Sequence, residues 1–234
     1  MGLHMKKWTK KQKEEFKRHF IIVSAIILIF ILILTGGLTV YQNIRKAAAP
    51  VPTAAPLRYK VPKPEIQEKF LTKNPNSRPG ILIEHVKGVV IHYTANPGTD
   101  AMANRNYFEG RKNMEETARN KVSSHFVIGL DGSIIQCVPL EEIAYASNAR
   151  NRDTISIECC HPGKSGKFTK KTKASLVHLT AWLCGEYSLQ KQDIIRHYDV
   201  TGKMCPKYYV KHPKKWEALQ DRIIEEMKKY ETEQ

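Results

Sequence analysis

Four side chains suited to metal binding or proton transfer sit in or at the ends of short apolar runs. They are His92 in "VVIHYT", Glu158 in "ISIECC", and His197 and Cys205 in "IIRHYDVTGKMCP". His197 closes an apolar run, and seven residues, among them Gly202, separate it from Cys205, which Pro206 follows. Glycine and proline break a helix there, so a strand end followed by a loop can bring imidazole and thiolate to one point. One zinc ion bound through nitrogen and sulfur uses such a pair, and a catalytic zinc takes about three protein ligands and keeps a position for water. His92 is the best third ligand, because a polar side chain late in a β-branched strand needs a compensating partner. Glu158 poses a related question. Alternation puts Ile155, Ile157 and Cys159 on one face and Ser156, Glu158 and Cys160 on the other. A carboxylate in mid-strand is costly unless paired or used. On residue types alone two plainer readings stay open: a hydrogen-bonded core histidine, and a cysteine serving as a small hydrophobe.

These residues must be positioned by strands and helices that interleave. "KGVVIHYT" (87–94) reads as a buried strand. "DAMANRNYFEGR" opens on a capping aspartate, Asp100, and reads as a helix. "SSHFVIGLDGSIIQCVP" from Ser123 is two apolar runs around Asp131 and Gly132, a hairpin signal. "DTISIECC" and "KQDIIRH" are further strands. "TKKTKASLVHLTAWLCGEY" places Leu176, Leu179 or Thr180, and Leu183 on one helical face behind Thr169 as cap, and "PKKWEALQDRIIEEMKKY" is a closing helix with proline at its start. The expected fold class is α/β, a central mixed sheet covered by helices.

The motifs "VVIHYTANPGT", "SSHFVIGLDGSIIQ", "DTISIECC" and "IIRHYDVTGKMCP", in this order between about Lys87 and Tyr209, resemble the zinc-dependent N-acetylmuramoyl-L-alanine amidases of the type 2 family. That family also includes phage endolysins and peptidoglycan recognition proteins. The resemblance implies one Zn²⁺ held by His92, His197 and Cys205, Glu158 as general base, and Lys203 as the cation that stabilises the oxyanion. The implied substrate is peptidoglycan, cut between the lactyl group of N-acetylmuramic acid and L-alanine. Some members carry a tyrosine where this chain has Ser124, which leaves the base to Glu158. A non-catalytic peptidoglycan-binding module is the alternative, and the full set of ligands speaks against it. His125 reads as structural, the loop "AYASNARNRD" (144–153) as either a substrate contact or solvated loop, and Asp199 as either an orienting partner of His197 or a turn residue.

Ahead of this region, Phe20 to Tyr41 carries no charge and is long enough to cross a bilayer. Seven lysines and arginines against Glu14 and Glu15 precede it, a bias that holds an amino terminus in the cytoplasm. The expected division is a basic cytoplasmic tail (1–19), one transmembrane helix (20–41), a proline- and alanine-rich linker (42–79) and a catalytic domain (80–234) outside the cytoplasm. A cleaved signal peptide and secretion to the cell wall is the competing reading. Seven of the 12 prolines fall between Arg45 and Pro79, a composition that favours extended chain over a core. The net charge of +15 fits anionic lipid headgroups at the tail and, beyond the membrane, anionic wall polymers or lipid surfaces, with no nucleic acid as partner. A merely solvated basic surface accounts for it equally. With Cys205 on zinc, the remaining cysteines 137, 159, 160 and 184 lie in apolar runs and read as buried free thiols.

Overall fold

A computed structural model describes the chain continuously from Tyr59 to Glu231 and, earlier, at scattered positions between Lys10 and Leu28, all helical. The two parts belong to separate compact units, with the division after Ala55. Among the described residues no helix is long and apolar enough to cross a membrane. The expected span 20–41 lies outside them except for Phe20, Val23, Ser24 and Leu28.

The larger unit is built on a six-stranded sheet. Its strands are β1 (Gln67–Glu68), β2 (Val89–Tyr93), β3 (Phe126–Ile128), β4 (Ile134–Gln136), β5 (Ile155–Cys159) and β6 (Ile194–Arg196), in the order β1-β4-β3-β5-β2-β6. Only the β3–β4 hairpin is antiparallel; β2 pairs in parallel with β5 and β6, as does β3 with β5. The mixed sheet is thus the expected one. Its helices are α1 (Ala101–Gly110), α2 (Lys170–Tyr187), α3 (His197–Thr201), α4 (Lys207–Lys211) and α5 (Pro213–Lys228).

Local chemistry accounts for their starts. Asp100 accepts the amide of Ala103 at 2.7 Å and Thr169 that of Thr172 at 2.9 Å, each satisfying a donor that the first helical turn leaves unpaired. Pro213 opens α5, where no intrahelical N–H is required. Alternation then sorts the sheet. Val89, Ile91, Phe126, Ile128, Ile155, Ile157 and Cys159 pack under Leu176, Leu179 and Leu183 of α2 and Leu219 and Ile223 of α5. On the other face Val127, Ile135 and Cys160 meet Ala101 and Phe108 of α1, together with Leu71.

Leu71 shows where the expected linker ends too late. Residues 59–79 are part of the folded unit. Tyr59 bridges Glu231, Lys60 N–H donates to the Tyr230 carbonyl at 3.0 Å, and Val61 joins the larger core. Strand β1 pairs with β4, the Leu71 amide donates to the Cys137 carbonyl, and Arg78 grips Glu142 through two bonds of 2.8 and 2.9 Å. The prolines lie between these anchors and do not prevent edge pairing. His197 also departs from expectation: it is the first residue of α3, a single turn that Gly202 ends at φ +76°.

Candidate active site

Strands β2 and β5 are neighbours in register, so His92 stands directly beside Glu158. Both side chains belong to the face that Val90 and Ser156 share, away from α2 and α5. His197 follows β6 on the other side of β2, and the loop from Gly202 returns Cys205 to the same place. One donor atom each of His92, His197 and Cys205 falls within 4.8 Å of the others, and all three residues are buried. His92 Nδ1 is 3.8 Å from Cys205 Sγ and 3.9 Å from Glu158 Oε1. The group lies at the carboxyl ends of parallel strands, where α/β sheets open to ligands.

The far edge of each imidazole is held by a residue that motif reading did not single out. His197 Nε2 lies 2.8 Å from Asn148 Oδ1 and His92 Nε2 lies 3.2 Å from Ser147 Oγ. A carbonyl oxygen only accepts, so His197 carries its proton on Nε2 and keeps Nδ1 as the lone-pair atom. Ser147 and Asn148 sit side by side at the entry to a 3-10 turn, Asn148–Arg152, with Asn148 in the left-handed region at φ +52°. Asn tolerates that conformation better than most residues. Asn151 braces the turn by accepting the amides of Ala146 and Ser147 at 3.1 and 2.6 Å. The loop 144–153 was readable as polar and near the Glu158 strand, but its bonds to the imidazoles depend on the fold.

Burial keeps the imidazoles and the thiol of the group uncharged. Burial, with His197 and Lys203 adding repulsion, holds His92 well below the usual histidine range. Burial and then Lys203 lower His197 to about 4, so both rings are neutral and able to ligate. Burial pushes the Cys205 thiol up to about 12, with Glu158 adding to it and Lys203 opposing. Glu158 rises to about 7 by burial, against the pull of Lys203. Its Oε2 and the hydroxyl of Thr94 are buried without a partner. Two neutral imidazoles, a thiol awaiting a counter-charge and an unpaired carboxylate oxygen fit a thiophilic divalent ion, which binds with release of the thiol proton.

This group forms the floor of a cleft of about 810 Å³, whose walls include Tyr93, Thr94, Tyr107, Tyr145 and Lys203. Lys203 lines this cleft, and its charge acts on His92, Glu158, His197 and Cys205. His125 does not line it: its Nδ1 accepts the amide of Ser156 at 3.0 Å and its Nε2 lies 2.9 Å from the Glu142 carbonyl, a structural role. Asp199 pairs with Arg196 and not with His197. Ser124 bonds to the Ser156 carbonyl behind the site. All five cysteines are free and buried.

Fold and site together define a class: an α/β domain with a His–His–Cys donor set and a neighbouring glutamate at the carboxyl ends of its parallel strands. The chain belongs to the N-acetylmuramoyl-L-alanine amidase family, whose profile matches residues 83–208, more than half of it. Similar curated proteins include the N-acetylmuramoyl-L-alanine amidase CwlL of Bacillus licheniformis, 35% identical over 159 residues, which cover 62% of this chain and 43% of that one. Another is the amidase BlyA of Bacillus subtilis strain 168, 30% identical over 179 residues, 68% of this chain and 46% of that one. The chain thus spans less than half the length of these relatives. Among solved structures, PlyL superimposes with a TM-score of 0.57 at 26% identity, over 68% of this chain and 97% of that one. The catalytic domain of XlyA gives 0.56 at 26%, over 68% and 99%.

Proposed function

We propose that this protein is a zinc-dependent N-acetylmuramoyl-L-alanine amidase that hydrolyses the bond between the muramic lactyl group and L-alanine in peptidoglycan. The observation that carries the reading is the convergence of His92, His197 and Cys205 beside the unpaired Glu158 Oε2 on the floor of one cleft. His92, His197 and Cys205 would hold the ion, which when bound supplies Lewis acidity, acidifying water and polarising a carbonyl. Glu158 takes the proton of the attacking water and hands it to the nitrogen of the leaving L-alanine, a role open to a carboxylate that stands beside His92 with one oxygen unpartnered. The Lys203 ammonium offsets the negative charge that develops on the lactyl carbonyl oxygen. The products are a free lactyl carboxylate and a peptide with a new L-alanine amino terminus.

Glu158→Gln tests the assignment. It preserves size and hydrogen-bonding reach but cannot take a proton, so it should retain zinc while turnover falls roughly 10²- to 10⁴-fold. Mass analysis of digested peptidoglycan supplies the readout, and near-normal turnover would remove Glu158 from the mechanism.

The same reading places the enzyme at the outer face of the cytoplasmic membrane, with 20–41 as anchor and a spacer that ends before Tyr59. The uncharged run behind a cationic tail supports it. A protease-accessible tag after Gln234 on intact protoplasts, with the amino-terminal tail retained, is the expected result; a mature chain beginning near Ala49 would replace the anchor with a secreted form.

A further inference from the structure

Two stretches of the chain, 159–185 and 200–216, hold ten lysines and no carboxylate. The fold lays them side by side. Lys207 Nζ donates to the Lys164 carbonyl at 2.9 Å, and Lys167 Nζ stands 5.8 Å from the centre of the Tyr208 ring. Where the start of α2 meets α4 and α5, a second cleft of about 320 Å³ opens, lined by Lys167, Lys173, Tyr208, Tyr209, Lys215 and Arg222. It shares no residue with the catalytic cleft. Lys173 is half-buried there, and the charges it meets are all of its own sign: Arg222, Lys167, Lys170 and Lys215. Burial and that repulsion lower its pKa, so the cluster costs folding energy as it stands.

We propose that this cleft is a binding site for a phosphodiester polyanion, a chain of phosphate groups joined by short polyol carbons. Three ammonium groups and a guanidinium in a concave space match the oxygens of a phosphate, which Arg grips in bidentate fashion and Lys as a point charge. The Tyr208 ring gives the connecting carbons an apolar wall, and the flanking Lys164, Lys170, Lys207 and Lys211 continue the positive field for further repeats. A membrane surface fits less well. The exposed large apolar residues are elsewhere, at Phe70, Ile81, Leu82, Tyr107 and Met204 among others, and none lies on α2, α4 or α5. The inference is independent of the amidase reading, since no residue of the cleft touches the proposed chemistry.

The test uses the full chain in uncharged detergent, with soluble poly(glycerol phosphate) as probe, titrated calorimetrically at several salt concentrations. Lys173→Met with Lys215→Met should weaken binding about tenfold or more. The control, Lys228→Met with Lys60→Met, makes the same change in net charge elsewhere and should leave binding within about twofold. Thermal stability should hold or rise in the cleft variant, because repulsion is relieved, so loss of fold does not imitate loss of binding. Turnover of a small soluble muropeptide should stay unchanged. Equal weakening in both double variants would reduce the effect to diffuse charge and overturn the site. Binding to phosphatidylglycerol vesicles but not to the soluble polymer would assign the face to lipid instead. Competition by a carboxylate-bearing muropeptide at equal concentration would make it a stem-peptide contact and overturn the proposal as well.

Discussion

Asn148 and Ser147 do for the imidazoles what their sequence neighbourhood does not announce. The Asn148 carbonyl oxygen behind the His197 ring sets which nitrogen carries the proton there, and with it the direction in which the lone pair is offered, while the Ser147 hydroxyl, able to donate or accept, holds the His92 ring in place. Asn148→Ala should weaken zinc binding about 10- to 100-fold in competition with a chelating dye, and Asn148→Asp, which keeps the accepting oxygen, should recover most of it. Unchanged affinity in the alanine variant would leave Asn148 a loop residue. His125 works in the opposite sense, as a buried neutral ring. Burial depresses it to about 4, with the Glu142 carbonyl bond opposing. Its unfolded state takes a proton near 6.5, so its contribution is complete above that pH. It is lost as pH falls from about 6.5 to about 4, on the order of 3 kcal/mol. Denaturant midpoints measured against pH should therefore fall less steeply with acid in His125→Gln than in the parent, while His92 and His197 titrate in both. Parallel curves would exclude His125 as the source. At this scale His92, Glu158 and His197 stood out because each lies in or closes an apolar run and leaves a polar atom to be explained, and Cys205 stood out through its spacing from His197 and the Pro206 that follows it. Ser147 and Asn148 were not, because a polar residue in a polar loop carries no contrast.

Elements with a side-chain period or a capping residue could be read from the chain. Asp100, Thr169 and Pro213 mark real helix starts, and the Asp131–Gly132 turn marks a real hairpin. The stretch 59–79 escaped because it joins the sheet through its backbone, at an edge, with few apolar side chains to betray it. Its fit is nonetheless close: a methyl group added at Gly185 would stand 2.6 Å from the Tyr59 carbonyl, so α2 needs its glycine where this stretch crosses. A fragment beginning at Pro56 should fold as the full chain does. One beginning at Gly80 uncovers the core that Leu71 fills and should lose stability at least comparable to Leu71→Ala, about 2 to 5 kcal/mol. Chemical denaturation of the two fragments measures this, and equal midpoints would return 59–79 to the role of spacer. Gly185→Ala should show a smaller loss in the same assay.

For the molecule as a whole, the candidate ligands His92, His197 and Cys205 gather where His92 leaves one face of the sheet, and the larger core, from Val61 to Met227, packs on the other face. Zinc should therefore stabilise without being required for folding. A chelator is expected to lower the melting temperature by several degrees, on the order of what about 1 to 3 kcal/mol produces. Far-UV circular dichroism should stay native and activity should vanish until zinc is restored. Unfolding on chelation at 25 °C would show that the ion is part of the scaffold. The bridge between Tyr59 and Glu231 has a mechanical side. Tension drawn through the chain ahead of Tyr59 loads that bridge and the Lys60–Tyr230 bond first. It reaches β1 next, at the sheet edge opposite β6, three strands removed from β2 in the order β1-β4-β3-β5-β2-β6. The leading segment would peel away like a strap while the strands that carry His92 and Glu158 stayed in register. The fold thus yields at one side while the cleft at the other keeps its shape.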